Sequence, residues 1–161
     1  MAFNGETIAF IGGGVMGEAM IKVLLNQKLV KAEQIIVSDP HEARLKELKA
    51  TYSIDYVTDN LQAAQKADVL VLSVKPQVMD KVLPPLRGRV DGVTLIVSIV
   101  AGSTLRSISS GLLNARVVRS MPNTPGQIGK GITVWTASPD VAQEQLKQAE
   151  LLLGALGEKI F

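Results

Sequence analysis

The sequence predicts a doubly wound α/β fold, in which a mostly parallel sheet carries helices on both of its faces. Short apolar segments alternate with longer amphipathic segments along the chain, which is the pattern of strands that alternate with helices. The segment Asp68–Val74 is apolar at nearly every position, as expected of a central strand that is buried on both faces. Aromatic residues make up only 4% of the sequence, so the core must consist mainly of aliphatic side chains.

Eight segments are predicted to be strands because they are short, rich in aliphatic residues and bounded by polar residues, glycine or proline. They are Thr7–Ile11, Gln34–Ser38, Ile54–Val57, Asp68–Val74, Val93–Val100, Val117–Ser120, Gly131–Thr136 and Glu158–Phe161. Ile54–Val57 is the weakest of these predictions, since it is short and only partly apolar.

Six longer segments between the strands are predicted to be helices. They are Val15–Gln27, Pro40–Ala50, Asp59–Lys66, Gln77–Leu86, Thr104–Leu113 and Asp140–Leu156. Pro40 is expected in the first turn of its helix. The predicted N-cap of the third helix is Thr58 or Asp59, and that of the last helix is Ser138 or Asp140. Right-handed crossovers then place the turns between strands and helices at the carboxyl edge of the sheet, where ligands bind beside the first strand.

Composition and charge exclude several classes of function. The net charge is only +2 and the basic residues are scattered, so no nucleic-acid-binding face is indicated. The sequence has no cysteine and one histidine, His41, which excludes disulfides, a cysteine nucleophile and thiolate or histidine metal clusters. No apolar segment approaches the roughly 20 residues that span a bilayer, and no signal-peptide pattern begins the chain. A single-domain cytoplasmic protein without metal, membrane or nucleic-acid partners is expected.

The clearest functional motif joins the first strand to the first helix, and it has the form Gly12-x-Gly14-x-x-Gly17. Gly12 permits a tight turn, Gly14 leaves room for a pyrophosphate, and Gly17 lets the helix pack closely on the strand. The N-terminus of that helix offers unpaired N–H groups to the phosphates. The strand, turn, helix and next strand are all in register, so residues 7–17 predict a dinucleotide site of the Rossmann type. A turn that serves geometry alone is the alternative.

Asp39 follows the second strand, 22 residues after Gly17, where a carboxylate accepts hydrogen bonds from the ribose hydroxyls of NAD. A carboxylate at this place should repel a 2′-phosphate, although Ser38, His41 and Arg44 lie nearby and could bind one. The alternative is that Ser-Asp-Pro only caps the next helix. We therefore expect a preference for NADH, with the use of NADPH left open.

Three further loops follow strands and should lie at the same edge of the sheet. Ser73-Val74-Lys75-Pro76 should run beside the cofactor, although a strand terminator with a solvated lysine explains these residues equally well. Ala101-Gly102-Ser103 is small enough for a nicotinamide to approach the backbone, although a purely structural end to the strand explains it equally well. Met121–Gly126 is stiffened by two prolines and carries Asn123 and Thr124, which suits orientation of a nicotinamide or substrate, or a structural corner.

In this order, these elements resemble pyrroline-5-carboxylate reductase, the family that makes proline from its cyclic imine. The resemblance extends through the whole chain, and Val-Lys-Pro together with Met-Pro-Asn-Thr-Pro is its most specific part. The segments that carry it are Phe10–Gly17, Asn60, Ala67–Pro76, Val97–Gly102, Val118–Pro125 and Gly129–Thr133.

The resemblance implies two sets of site residues. The set that binds the NAD(P)H cofactor comprises Gly12, Gly14, Val15, Met16, Gly17, Ser38, Asp39, Asn60, Ser73, Val74, Lys75, Pro76, Ala101 and Gly102. The set near the nicotinamide and the cyclic imine substrate comprises Met121, Pro122, Asn123, Thr124 and Pro125. The resemblance implies Asn-Arg at this place in many members that prefer NADPH, whereas this sequence has Asp39-Pro40. The loss of that arginine puts a strong NADPH preference in doubt.

The resemblance also implies an architecture in which residues 1–161 form the dinucleotide-binding domain. A second, helical domain of the family forms the homo-oligomer and supplies Ser and Thr hydroxyls to the substrate. Catalytic residues are therefore expected outside this sequence, and these residues alone are expected to bind cofactor with little turnover and to be monomeric. The alternatives are the N-terminal domain of a hydroxyacid or ketopantoate-type dehydrogenase, and a non-catalytic dinucleotide-binding module.

Overall fold

The computed structural model describes residues 3–123 and 130–161, and within them eight strands form one sheet. The strands are β1 Ile8–Ile11, β2 Ile35–Ser38, β3 Asp55–Val57, β4 Val69–Leu72, β5 Leu95–Ser98, β6 Val117–Pro122, β7 Gly131–Ala137 and β8 Gly157–Ile160. Their order across the sheet is β3-β2-β1-β4-β5-β6-β7-β8. The predicted Rossmann-like architecture is therefore confirmed.

The helices also follow the predicted order, and their ends differ from the predicted ends by only a few residues. They are α1 Val15–Asn26, α2 Glu42–Tyr52, α3 Asn60–Lys66, α4 Met79–Leu86, α5 Leu105–Leu112 and α6 Gln143–Gly154, with 3-10 turns at Ala32–Gln34 and Pro76–Val78. No helix in the described part of the chain is long and apolar enough to cross a membrane.

Two of the predicted helix starts are wrong. Pro40 lies outside α2, whose N-cap is His41, because the chain first turns around the side chain of Asp39. Neither Ser138 nor Asp140 caps α6, which begins after Ala142. The Ser138 hydroxyl is instead engaged with the start of β6, where it accepts a hydrogen bond from the Val117 amide at 3.0 Å.

The first six strands run parallel, whereas β7 is antiparallel to β6 and β8 is parallel to β7. A parallel crossover needs about a dozen residues or more, and the connection from β6 to β7 is shorter than that. The chain therefore reverses direction after β6. The carboxyl ends of β1 to β6 share one edge of the sheet, and those of β7 and β8 lie at the other.

Both faces of the sheet are covered. Helices α1, α2 and α6 pack on one face, and α3, α4 and α5 pack on the other. Alternate residues of β1 enter the two cores, Ile8 and Phe10 on one side and Ala9 and Ile11 on the other. A strand that is buried on both sides in this way holds its carboxyl end in a fixed position.

Candidate functional site

The strand order reverses at β1, which lies between β2 and β4. In open α/β sheets this is the place where ligands bind, outside the carboxyl ends of the strands. Backbone hydrogen bonds continue past the strand ends here: the Gly12 amide donates to the Ser38 carbonyl at 2.8 Å, and the Ser73 amide donates to Ile11 at 2.9 Å. The loops after β1, β2 and β4 are therefore held side by side.

The three glycines of the motif differ in what surrounds them. Gly12 has a φ of +104°, and a Cβ there would lie 2.5 Å from the Ser73 carbonyl oxygen. A Cβ on Gly17 would lie 2.6 Å from the Gly12 carbonyl oxygen. Gly14, the N-cap of α1, has no protein atom within 4 Å of where its Cβ would be. Gly12 and Gly17 thus permit close backbone packing, whereas Gly14 opens onto free space at a helix N-terminus.

Ser73 secures the turn from the side of β4. Its hydroxyl lies 2.8 Å from the Gly12 carbonyl oxygen and 3.1 Å from that of Ile11, and it donates its single proton to this pair. The side chain therefore points into the turn, and its role in the structure is to hold the backbone of Gly12.

Asp39 secures the turn from the side of β2. Its carboxylate accepts hydrogen bonds from the Gly13 amide and from the His41 amide, each at 2.9 Å. The His41 ring nitrogen Nδ1 also lies 2.9 Å from the carboxylate. Burial raises the pKa of Asp39, but the hydrogen bonds from His41 and Gly13 outweigh it and hold the pKa below its ordinary value. Asp39 is therefore a fixed negative charge beside the glycine turn.

Ser38 and Asn60 form a second contact at the end of β2. The Ser38 hydroxyl donates to the Asn60 side-chain oxygen at 2.7 Å, and Ser38 is fully buried. The Ser38 hydroxyl therefore faces α3, and its predicted contact with a ribose stays a prediction. Ser38 orients Asn60, the first residue of that helix.

The loops after β4, β5 and β6 are more exposed. Val74 is half-buried, and the side chains of Lys75 and Pro76 are exposed at the start of a 3-10 turn. Ala101 and Gly102 are exposed after β5.

The last loop continues from the end of β6. Met121 is 43% exposed. The Asn123 side-chain oxygen accepts a hydrogen bond from the Ile132 amide at 2.9 Å, which ties the end of β6 to β7. Thr124 and Pro125 lie outside the described residues.

A group that the sequence analysis did not assemble lies on the outer side of the glycine turn. Arg44 donates from Nε to the Gly13 carbonyl at 2.7 Å and forms an ion pair with Glu18 through Nη2. The Tyr52 hydroxyl donates to the other oxygen of Glu18 at 2.8 Å. We call Arg44, Glu18 and Tyr52 the Arg44 network. Its members come from both ends of α2 and the first turn of α1, so no spacing along the sequence reveals it.

The two acidic groups of the Arg44 network have shifted pKa values. Burial raises the pKa of Glu18, but the hydrogen bonds from Arg44 and Tyr52 outweigh it and lower the pKa overall. Burial and the hydrogen bond to the Glu18 carboxylate raise the pKa of Tyr52 to about 12. At neutral pH, Glu18 is therefore ionised and the Tyr52 hydroxyl keeps its proton.

Sequence comparisons with known proteins match this chain to an oxidoreductase family and to named reductases. The family described as NADP oxidoreductase coenzyme F420-dependent matches residues 7–102. The chain is similar to the pyrroline-5-carboxylate reductase of Synechocystis sp., at 40% identity over 95% of this chain and 57% of the relative. It is 36% identical to pyrroline-5-carboxylate reductase 1 of Bacillus subtilis, over 97% of this chain and 53% of the relative. The resemblance predicted from the sequence is confirmed.

Solved structures agree in fold. A pyrroline-5-carboxylate reductase from Coxiella burnetii matches with a TM-score of 0.89 and 31% identity, over 98% of this chain and 58% of that one. Prephenate dehydrogenase from Aquifex aeolicus matches with a TM-score of 0.75 at 14% identity, over 95% and 60% of the two chains, which shows the fold alone. The chain thus spans somewhat more than half the length of the curated relatives and structures it matches.

Proposed function

Because the chain belongs to the family of NADP oxidoreductases described as coenzyme F420-dependent, we propose that its glycine turn binds a nicotinamide dinucleotide. One observation carries the proposal: Gly14 leaves open space at the N-terminus of α1, where amide N–H groups and the helix dipole favour a pyrophosphate. The neighbouring backbone is held in place by Ser73 and Asp39. The residues of the turn therefore fit the group that the family implies.

The proposed cofactor lies across the carboxyl edge of the sheet. We place its pyrophosphate over Gly14 and the start of α1, its adenosine ribose beside Asp39, and Asn60 along the same groove. Its nicotinamide end extends past Val74–Pro76 toward Ala101 and Gly102. The ionised carboxylate of Asp39 suits the hydroxyls of NADH better than a 2′-phosphate, so we propose a preference for NADH.

We further propose that the full-length protein reduces 1-pyrroline-5-carboxylate to L-proline, the last step of proline biosynthesis. The curated relatives with this name support the proposal. The dinucleotide, when bound, supplies the hydride that the imine carbon accepts, and the ring nitrogen takes a proton. Two observations at the nicotinamide end support this proposal: Ala101 and Gly102 leave the backbone accessible to the reactants, and the Asn123 side chain is fixed through Ile132.

These 161 residues are proposed to be the cofactor-binding part of that activity, with little turnover on their own. Ala101, Gly102, Met121 and Asn123 carry no titratable group, so none of these side chains can donate the proton that the imine nitrogen needs. A steady-state assay with 1-pyrroline-5-carboxylate and NADH, run beside a keto acid, tests two points: first, that the substrate is the cyclic imine, and second, that the 161 residues alone show little turnover. Turnover of the imine by the 161 residues at the rate of a full-length relative would contradict the second, and reduction of the keto acid alone would contradict the first.

The binding proposal is tested by Gly14→Ala. The added Cβ meets no protein atom, so the free energy of unfolding should stay within about 1 kcal/mol of the parent value, whereas NADH affinity should fall about tenfold or more. Fluorescence titration with NADH and urea denaturation measure the two quantities. Gly92→Ala is the matched control, since its Cβ also meets no protein atom but lies before β5, at the opposite edge. Unchanged NADH affinity in Gly14→Ala would contradict the proposed site.

A further inference from the structure

The Arg44 network brings a positive charge close to the place proposed for the adenosine ribose. Gly13 is bonded at both ends: its N–H donates to the Asp39 carboxylate at 2.9 Å, and its carbonyl accepts from Arg44 Nε at 2.7 Å. The carboxylate and the guanidinium therefore flank a single glycine residue. In dinucleotide-binding folds a carboxylate here selects a ribose hydroxyl, and an arginine nearby accommodates a 2′-phosphate. This chain places both groups on the same residue of the turn, one at its N–H and one at its carbonyl.

The guanidinium of Arg44 is already committed to other partners. Its Nη2 is paired with Glu18, and its Nη1 lies 3.4 Å from Glu47. Glu18 is held in turn by the hydroxyl of Tyr52, so the carboxylate cannot swing away from Arg44 without losing a second hydrogen bond. The side chains of Arg44 and Glu18 are 29% and 32% exposed, so their pairing is partly shielded from water.

The charges around the turn also disfavour a 2′-phosphate. Two carboxylates, those of Glu18 and Glu47, pair with the Arg44 guanidinium, and a third, that of Asp39, accepts from the amide of the glycine that Arg44 contacts. His41 is exposed, and its ring nitrogen Nδ1 lies 2.9 Å from the Asp39 carboxylate. These three carboxylates outnumber Arg44 and Lys22, the second positive charge that acts on Glu18, so a 2′-phosphate entering here would be repelled unless Arg44 were released.

We infer that Glu18, held by Tyr52, is a specificity-determining residue that withholds Arg44 from a 2′-phosphate and so selects NADH over NADPH. Glu18 acts through Arg44 and is a positioning residue in this role. The inference rests on the proposed function, since it requires that the glycine turn binds a nicotinamide dinucleotide. The proposed function bases the preference for NADH on Asp39, whereas this inference assigns it also to Glu18, a residue of α1 that faces α2.

The test is Glu18→Gln in this chain, with dissociation constants for NADH and NADPH measured by fluorescence titration. Glutamine keeps the size of the side chain and removes the charge that holds Arg44. We expect NADPH to bind about tenfold more tightly relative to NADH, which is the size of one added hydrogen bond to a charged group. Tyr52→Phe should shift the ratio in the same direction by less. Adenosine 2′,5′-bisphosphate, compared with adenosine 5′-monophosphate as competitor, isolates the contribution of the 2′-phosphate.

Two further variants separate the role of Arg44 from a general loss of negative charge. Glu47→Gln removes a carboxylate from the same arginine, but that side chain is 69% exposed, so the ratio should change by less than about threefold. The double variant Glu18→Gln with Arg44→Ala should lose the gain in NADPH affinity. A gain that persists without Arg44, or an unchanged ratio in Glu18→Gln with NADH binding intact, would overturn the inference alone. Absence of binding of either dinucleotide to the parent protein would overturn the proposed function and this inference with it.

Discussion

The two ends of the carboxyl edge are built differently. At the end near α2, which we call the ribose end, side chains join neighbouring elements: Asp39 and Arg44 hold Gly13, and Ser73 holds Gly12. At the end beyond β5, which we call the nicotinamide end, the buried hydroxyls of Ser98 and Ser120 bond backbone groups at the ends of β5 and β6. The loops beyond them are less held: Ala101 and Gly102 are exposed, and Asn123 bonds the Ile132 amide of β7. In the proposed mode of binding, the turn that meets the ribose is preorganised, whereas the loops that meet the nicotinamide stay accessible.

The sheet explains why the two ends differ. The ribose end is built on β1, β2 and β4, which run parallel and are fully buried along their lengths. Their carboxyl ends therefore lie at one level, and short polar side chains can bridge the loops. The nicotinamide end adjoins the pair β6 and β7, where the chain reverses direction and Met121 is 43% exposed.

The largest effect that separates the two ends is expected from Gly12→Ala. The added Cβ would meet the Ser73 carbonyl at 2.5 Å at a φ of +104°, so the free energy of unfolding should fall by about 3 to 5 kcal/mol. Gly102→Ala is the matched control at the nicotinamide end, where φ is +76° but no atom lies within 4 Å, and it should cost about 1 to 2 kcal/mol. Urea denaturation measures both. Equal losses in the two variants would remove the distinction between the ends.

A smaller effect, with a defined pH dependence, is expected from Asp39→Asn. The pKa of Asp39 is lower in the folded protein than its ordinary value of 3.8, so the ionised carboxylate adds stability above that pH. This contribution is lost as the pH falls through the lowered pKa. At pH 7 the variant should be less stable by about 1 to 2 kcal/mol, the range for hydrogen bonds to a charged group.

Denaturation of both proteins at several pH values checks this prediction. The difference in the free energy of unfolding between the parent and Asp39→Asn should stay constant between about pH 5 and pH 7. It should shrink as the pH falls below 3.8 toward the folded pKa. A difference that grew toward acid would mean that the folded protein stabilises the protonated carboxyl group of Asp39, contrary to the hydrogen bonds from Gly13 and His41.

The smallest effect is expected from Asn123→Ala at the nicotinamide end. The variant loses one hydrogen bond to the Ile132 amide, which lies in exposed surroundings, so stability should fall by about 0.5 to 1 kcal/mol. Thermal denaturation of both Asn123→Ala and Asp39→Asn at pH 7 compares the loss of stability at the two ends. A loss larger than that of Asp39→Asn would show that the nicotinamide end is as firmly held as the ribose end.

The sequence predicted the order of the strands and helices because each strand is a short apolar segment bounded by polar residues or glycine. It also predicted the glycine turn, since the spacing of Gly12, Gly14 and Gly17 depends only on local backbone geometry. The helix caps were less predictable: Ser138 and Asp140 both suit an N-cap by residue type, yet α6 begins after Ala142. Residue type alone cannot distinguish a cap from a hydroxyl that holds a neighbouring strand, as Ser138 does.

By itself, the sequence determined the fold class, the turn and the likeness to pyrroline-5-carboxylate reductases, because these follow from periodicity and from contiguous motifs. The tertiary structure alone decided that Ser38 faces Asn60 and that Arg44 is paired with Glu18 and Tyr52. These partners are 22 and 26 residues apart for Ser38–Asn60 and Arg44–Glu18, and 34 apart for Tyr52–Glu18. They meet only because parallel strands return the chain repeatedly to the same edge, so their contacts depend on packing rather than on spacing.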